Sequence, residues 1–201
     1  MNCMKSTRVT FPNGTGSELS ARLDLPADRR ATQFVLFAHC FTCSKDLGSV
    51  RNISRALTSN GFGVLRFDFT GLGESEGEFS ETDFSSNVSD LYAAVSFMEK
   101  EYSAPVLMIG HSLGGAAAIV ASASLAQVKA VTTIGAPGHI GHIRKLFSGD
   151  IEKIKETGSA QVNIGGRPFT ISNSFLEDIE KRDLASIVGS IITTVGLSPK
   201  T

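Results

Sequence analysis

The chain has 201 residues, of which 41% are hydrophobic and 19% are charged, and its formal net charge is −1. This length and composition fit one globular domain with a sizeable buried core. Its basic residues are spread along the chain, which argues against binding to nucleic acid or to an anionic membrane surface. Its apolar runs are too short to span a bilayer, and residues 1–6 do not resemble a signal peptide. We therefore expect a cytoplasmic location.

Two of the three cysteines, Cys40 and Cys43, form a C-x-x-C pair. They are too close in sequence to join distant parts of a fold, so reduced thiols are expected. Zinc would need a second pair or well-spaced histidines, which the sequence lacks. No metal or organic cofactor is expected, and a redox role for the pair is the alternative.

The first two thirds of the chain alternate between strands and helices. Residues 7–11 and 18–25 predict an antiparallel hairpin around Asn13-Gly14. Further strands are predicted at 34–38, 63–69, 105–109 and 128–134. Apolar periodicity predicts helices at 50–57, 84–98 and 113–125. Strand and helix at this spacing predict an α/β fold with a mostly parallel sheet and helices on both faces.

The pattern changes after residue 138. Helical segments at 140–147 and 151–156 lead into a hairpin around Gly165-Gly166, followed by helical stretches near 175–180 and 183–188. Residues 191–195 then predict one more core strand. The predicted organisation is a core at 1–138, a cap at 139–189 over the carboxyl edge of the sheet, and the start of the remaining core at 190–201.

The segment with the strongest chemical signal is residues 110–114, G-H-S-L-G. It lies between a predicted strand and a predicted helix, where parallel α/β sheets carry their active sites. The pattern matches the G-x-S-x-G nucleophile elbow, whose tight turn needs small residues on both sides of Ser112. The following helix N-terminus supplies N–H groups and partial positive charge where an oxyanion forms. A glycine-rich strand–helix turn without catalytic function is the alternative.

Two further motifs accompany this turn: residues 38–41, A-H-C-F, and residues 68–75, D-F-T-G-L-G-E-S. Together the three motifs resemble the α/β-hydrolase superfamily. More closely, they resemble the hydrolase module found fused to OsmC-like domains. The resemblance implies an α/β-hydrolase fold and a serine hydrolase that cleaves a carboxylic ester or related acyl bond through an acyl-enzyme. It also implies that Ser112 is the nucleophile and that the N–H groups of Phe41 and Leu113 form the oxyanion hole. Cys40 departs from the glycine that is usual there.

The resemblance also implies a triad acid and base later in the chain, and these are not found. No histidine follows His142. His139 and His142 follow a core strand and are the candidate substitute bases, whereas His39 and His111 are expected to brace or pack. Asp68 is expected to hold its own glycine-rich loop. The acidic residues of the cap are expected to be solvated charges or helix caps; they are Asp150, Asp178 and Asp183.

Three interpretations stay open. The chain is a C-terminally incomplete hydrolase that lacks its last strand and helix, a hydrolase with a Ser-His dyad, or an inactive relative that binds an acyl ligand or partner. The first predicts that residues 191–195 form an exposed sheet edge, which favours a homodimer.

Overall fold

The computed structural model describes residues 4–28, 30–180 and 184–192, and the side chains of residue 142 and of 190–192 lie outside that description. Its main sheet has six strands, in the order β1-β2-β4-β3-β5-β6. These are β1 (Lys5–Pro12), β2 (Glu18–Leu25), β3 (Gln33–Ala38), β4 (Phe62–Phe67), β5 (Pro105–His111) and β6 (Ala130–Ile134). β1 and β2 form the predicted antiparallel hairpin, and β2 also pairs antiparallel with β4. The other three pairings are parallel, which confirms the mostly parallel sheet.

Helices cover both faces of this sheet. In β3, alternate side chains point to opposite faces: Val35 and Phe37 pack with Val50 of α1 (Gly48–Ser59). Leu36 belongs to the larger cluster on the other face, beneath α2 (Phe84–Glu101) and α3 (Leu113–Ser122). The sequence pattern therefore predicted the layers correctly.

The second half of the chain adds short elements to the same hydrophobic cluster. They are a 3₁₀ helix (Ile140–Asp150), α4 (Ile151–Thr157), a hairpin of β7 (Ser159–Ile164) and β8 (Arg167–Ser172), α5 (Asn173–Glu180) and α6 (Leu184–Ile192). Their buried apolar side chains join the core on the α2 and α3 face; these include Ile140, Phe147, Ile154, Ile171, Phe175 and Ile179. The predicted hairpin and helical segments are confirmed, whereas the domain boundaries stay a prediction.

The predicted core strand at 191–195 is wrong where the structure describes it. Ile191 and Ile192 are the last residues of α6, and residues 193–195 lie outside the described part. Leu184, Ile187 and Ile191 follow the i, i+3, i+7 spacing of one helix face, so this β-branched run continues a helix. Among the described strands, the parallel edge of the sheet is β6, most of which is exposed.

Within the described residues, no helix has both the length and the apolar character to cross a membrane. The same part of the chain holds no group of three His, Cys, Asp or Glu side chains that could bind a metal ion.

Candidate active site

Ser112 lies in the turn that joins β5 to α3. Its backbone has φ 53° and ψ −123°, a region that residues other than glycine rarely occupy. Two main-chain hydrogen bonds fix this conformation: the Ser112 N–H donates to the Ile134 carbonyl at 2.9 Å, and the Ser112 carbonyl accepts from Gly115 N–H at 2.9 Å. The strand–turn–helix context that the sequence predicted for this serine is confirmed.

The glycines beside Ser112 have no room for side chains. A Cβ on Gly110 would lie 2.6 Å from the Gly115 nitrogen. A Cβ on Gly114 would lie 2.7 Å from the Ala38 carbonyl oxygen and would overlap the His39 carbonyl oxygen. Because those neighbours are backbone atoms, neither can move aside easily. The close approach at Gly114 places the start of α3 directly against the end of β3.

The two predicted oxyanion donors lie in the elements that meet at this contact. Leu113 is the first residue of α3, so its N–H has no partner within the helix and lies at the positive end of the helix dipole. Phe41 follows the end of β3 in the loop of residues 39–47, which we call the 39–47 loop. His39, whose carbonyl approaches Gly114, begins that loop.

Cys40 and Cys43 form a disulfide within this loop, with their Cα atoms 5.3 Å apart. The expectation of reduced thiols is therefore wrong for this pair. That expectation considered only disulfides between distant segments. Here Cys43 N–H donates to the Cys40 carbonyl at 3.0 Å, and the resulting turn brings the two cysteine side chains together. Thr42, inside the turn, has φ 64°. Among the described residues other than glycine, only Thr42 and Ser112 have positive φ, so cysteine in place of the usual glycine at position 40 requires no left-handed backbone there.

His39 is buried and braces the 39–47 loop, as the sequence predicted. Its Nδ1 donates to the Cys40 carbonyl oxygen at 2.8 Å. Its Nε2 has no hydrogen-bond partner in the described part of the chain and lies 3.6 Å from Asp68 Oδ1. Burial lowers the pKa of His39, so the ring is neutral at pH 7.

Asp68 anchors the other end of the 39–47 loop. Its Oδ1 accepts from Lys45 N–H at 2.6 Å, and its Oδ2 accepts from Lys45 Nζ at 2.6 Å and from Glu74 N–H at 3.0 Å. Lys45 Nζ also donates to Glu74 Oε2 at 2.7 Å. Burial alone would lower the pKa of Lys45, but the hydrogen bonds to Asp68 and Glu74 outweigh it and raise that pKa. The predicted role of Asp68 in holding its own glycine-rich loop is confirmed.

A second buried cation, Arg66 on β4, supports the same loop from below. Its Nε donates to Asp24 Oδ2 at 2.7 Å, and its Nη1 donates to the Lys45 carbonyl and to Asp46 Oδ1, both at 2.6 Å. Burial alone would raise the pKa of Asp46, but the hydrogen bond to Arg66 outweighs it and lowers that pKa. Sequence reasoning missed both residues, because Lys45 stands in a polar run that reads as surface, and a lone Arg66 in an apolar strand does not show which carboxylate pairs with it.

Aromatic side chains join the 39–47 loop to the second half of the chain. The Phe41 ring stacks on Phe175 of α5 at 5.3 Å between centroids and packs against Phe79 at 5.5 Å. Arg167 of β8 donates to the Thr42 carbonyl oxygen. The loop that carries one predicted oxyanion donor is thus held by the predicted cap as well as by the core.

The two candidate bases follow β6, at the correct edge of the sheet. His139 is exposed, and its Nδ1 accepts from Gly141 N–H at 3.1 Å. Because a neutral imidazole has one lone pair, this bond occupies the nitrogen that a general base would use. The His142 side chain lies outside the described residues.

The acidic candidates have structural contacts. Asp178 of α5 accepts from Ser85 N–H at 2.6 Å and from Ser85 Oγ at 2.9 Å, so it caps the first turn of α2. This confirms the capping role expected of Asp178. Asp150 precedes α4 without a side-chain capping bond, and Asp183 lies outside the described residues.

A mostly parallel sheet with helices on both faces, and a strained serine turn at the carboxyl end of a strand, define the α/β-hydrolase fold. The chain belongs to the serine aminopeptidase, S33 (Hydrolase_4), family, whose model matches residues 30–149.

Comparison with solved structures supports this assignment. The chain superposes on the esterase domain of a Rhodothermus marinus protein with a TM-score of 0.72 and 46% identity, covering 94% of this chain and 73% of that one. An esterase from Pyrococcus furiosus has a TM-score of 0.67 at 19% identity, covering 94% of this chain and 67% of that one, which shows a shared fold.

A human monoglyceride lipase is 38% identical over 78 residues, which is 38% of this chain and 26% of the lipase. The rat monoglyceride lipase is 44% identical over 62 residues, or 30% of this chain and 20% of the lipase. The chain therefore spans about a quarter of the length of the curated relatives that it matches.

Proposed function

We propose that this chain is an ester hydrolase in which Ser112 is the nucleophile. The observation that carries the proposal is the strained Ser112 backbone at the junction of β5 and α3. A rare conformation held by main-chain hydrogen bonds and crowded glycines has a structural cost, and such costs concentrate at functional sites. Family membership and the esterase neighbours support ester hydrolysis in general.

The proposed reaction proceeds through an acyl-enzyme. Ser112 Oγ attacks the ester carbonyl carbon, its proton passes to a base, and the carbonyl oxygen becomes an oxyanion. The N–H groups of Phe41 and Leu113 donate to that oxyanion. Loss of the alcohol leaves an acyl group on Ser112, which water then removes. Loss of one such donor typically lowers kcat by about 10²- to 10³-fold.

The base is the open part of this proposal. His139 and His142 are the candidates from the sequence, but the His139 Nδ1 lone pair already accepts from Gly141 N–H. That hydrogen bond favours a second candidate function, an inactive hydrolase-fold protein that binds an acyl ligand or a partner. Single variants His139→Ala and His142→Ala test the dyad: a Ser112-dependent rate that neither substitution changes excludes both histidines as the base.

Labelling with a serine-directed fluorophosphonate and turnover of p-nitrophenyl butyrate distinguish the two functions. The Ser112→Ala variant should abolish labelling and lower turnover by at least about 10³-fold. Ser122→Ala is the matched control, because Ser122 lies at the other end of α3 and its hydroxyl donates to the Ile119 carbonyl of the same helix. Equal turnover by wild type and Ser112→Ala would refute hydrolysis. Background turnover together with retained binding of a fluorescent fatty acid would support the second function.

The remaining sequence-based expectations are part of the same proposal. They are a small ester or acyl substrate, no nucleic-acid or membrane partner, no cofactor, a cytoplasmic location, and the narrower likeness to hydrolase modules fused to OsmC-like domains.

A further inference from the structure

The Cys40–Cys43 disulfide encloses the two residues with the most demanding positions in the 39–47 loop. Phe41 is the proposed oxyanion donor, and Thr42 has φ 64° although it is β-branched. Such a backbone conformation persists only where its surroundings over-determine it. The disulfide, together with the hydrogen bond from Cys43 N–H to the Cys40 carbonyl, supplies that constraint from within the loop.

The two sulfur-bearing residues differ in access. Cys40 is 8% exposed, whereas Cys43 is only half-buried. Thiol–disulfide exchange needs a thiolate to reach one of the two sulfurs. Cys43 is therefore the residue that an external thiol reaches more readily, and attack at its Sγ makes Cys40 Sγ the leaving group.

The surrounding contacts hold the two ends of the loop, the Phe41 ring and the Thr42 carbonyl, whereas the disulfide constrains the backbone between Cys40 and Cys43 covalently. His39 braces the Cys40 carbonyl at one end, and Asp68 holds Lys45 at the other. Arg167 binds the Thr42 carbonyl from outside. If the disulfide opens, the fold keeps these anchors, but the turn that orients the Phe41 N–H loses its covalent link.

We propose that Cys40 and Cys43 are a thiol–disulfide exchange site at which a dithiol reductant lowers the rate of hydrolysis at Ser112. The inference rests on the proposed function. The reductant thiolate bonds to Cys43 Sγ while the Sγ–Sγ bond breaks and Cys40 leaves as a thiolate. The second thiol of the reductant, as its thiolate, then attacks the mixed disulfide and releases the Cys43 thiolate. Two electrons pass to the protein, the reductant becomes a disulfide, and its two protons end on Cys40 and Cys43.

The test uses the full chain with Cys3→Ser, so that Cys40 and Cys43 are the only cysteines. The protein is compared with and without dithiothreitol by alkylation and mass measurement, by p-nitrophenyl butyrate kinetics, and by hydrogen exchange of peptides covering residues 39–47. Reduction should add two alkyl groups, lower kcat by about 10-fold or more with a smaller change in KM, and speed exchange in the loop. The decrease in kcat should not exceed the roughly 10²- to 10³-fold loss expected when one oxyanion donor is missing. Removal of dithiothreitol followed by oxidised glutathione should restore the rate.

The double variant Cys40→Ser/Cys43→Ser should have the same kcat as the chemically reduced protein and should not respond to dithiothreitol. If the double variant does not fold, Cys43→Ser alone takes its place. The inference would be overturned if reduction adds two alkyl groups while kcat stays within twofold of the oxidised protein and hydrogen exchange in the loop is unchanged. Two free thiols before reductant is added, even after treatment with oxidised glutathione, would also overturn it. If Ser112→Ala matches the parent in both redox states, the proposed function fails and the rate effect falls with it, while alkylation and loop exchange still decide whether the exchange site exists.

Discussion

The buried ion pair between Lys45 and Asp68 allows a quantitative test of how the 39–47 loop is held. Both side chains are at most 1% exposed, and Lys45 Nζ lies 2.6 Å from Asp68 Oδ2. The substitution Lys45→Met keeps the apolar stem but leaves the Asp68 carboxylate buried without its cation. Removing one member of such a pair typically costs about 3–5 kcal/mol of unfolding free energy. Chemical denaturation followed by circular dichroism at pH 7 measures this loss.

Two further variants isolate the pairing. Lys100→Met removes an exposed lysine whose Nζ lies 3.7 Å from Glu101, and surface pairs of this kind contribute about 0–1 kcal/mol. Lys45→Met/Asp68→Asn removes both buried charges and should recover part of the loss. It should not recover all of it, because an amide has one acceptor oxygen, whereas the two carboxylate oxygens accept from Lys45 N–H and from Glu74 N–H. A Lys45→Met loss no larger than the Lys100→Met loss would refute the reasoning.

Four further outcomes are expected from other parts of the molecule. Gly114→Ala should lower the unfolding free energy by about 1–3 kcal/mol by denaturation, because its Cβ meets backbone atoms; Gly138→Ala, where a Cβ meets nothing within 4 Å, should be near neutral. His39 has a lowered pKa in the folded state, so below about pH 6.5 the unfolded state binds more protons than the folded state. The unfolding free energy therefore decreases as the pH is lowered through this range. This loss should reach at most about 1.4 kcal/mol per pH unit and be absent in His39→Asn, as denaturation at pH 7.5 and 5.5 can establish. Arg167→Gln should speed hydrogen exchange in the 39–47 loop with little change in global stability; exchange equal to wild type would show that Arg167 does not hold the loop. The exposed edge strand β6 (Ala130–Ile134) should support self-association, which a purely monomeric species in light scattering at micromolar concentration would contradict.

The sequence predicted the alternation of strands and helices and the serine turn because both rest on local patterns. Apolar runs mark buried parallel strands, and the crowded positions at Gly110 and Gly114 admit only glycine. Family resemblance added the expectation that residues 39–41 lie beside this turn, and the close approach of the His39 carbonyl to Gly114 places His39 there.

Other features depended on contacts that no local pattern carries. Lys45 and Arg66 are buried because carboxylates from other segments meet them, and a sequence does not show those partners. The run at 191–192 was assigned to a strand because a short β-branched segment has the same composition in either state. The helical spacing from Leu184 onward was the signal that could have decided it.

The contact between Asp178 and Ser85 has a consequence for how the chain opens and closes. It places a carboxylate of α5 on the first turn of α2, so α5 adds a hydrogen-bond acceptor to the capped end of a helix that packs on the sheet. Phe175 and Ile179, on the same helix, lie in the core cluster shared with the sheet. Swinging α5 away as a lid would remove this contact from α2, which the Asp83–Ser86 capping box would still cap, and would expose that cluster to water in the same step. Access to Ser112 is therefore expected to come from small side-chain movements around the aromatic contacts, and thermal unfolding should take both halves of the chain in a single cooperative transition.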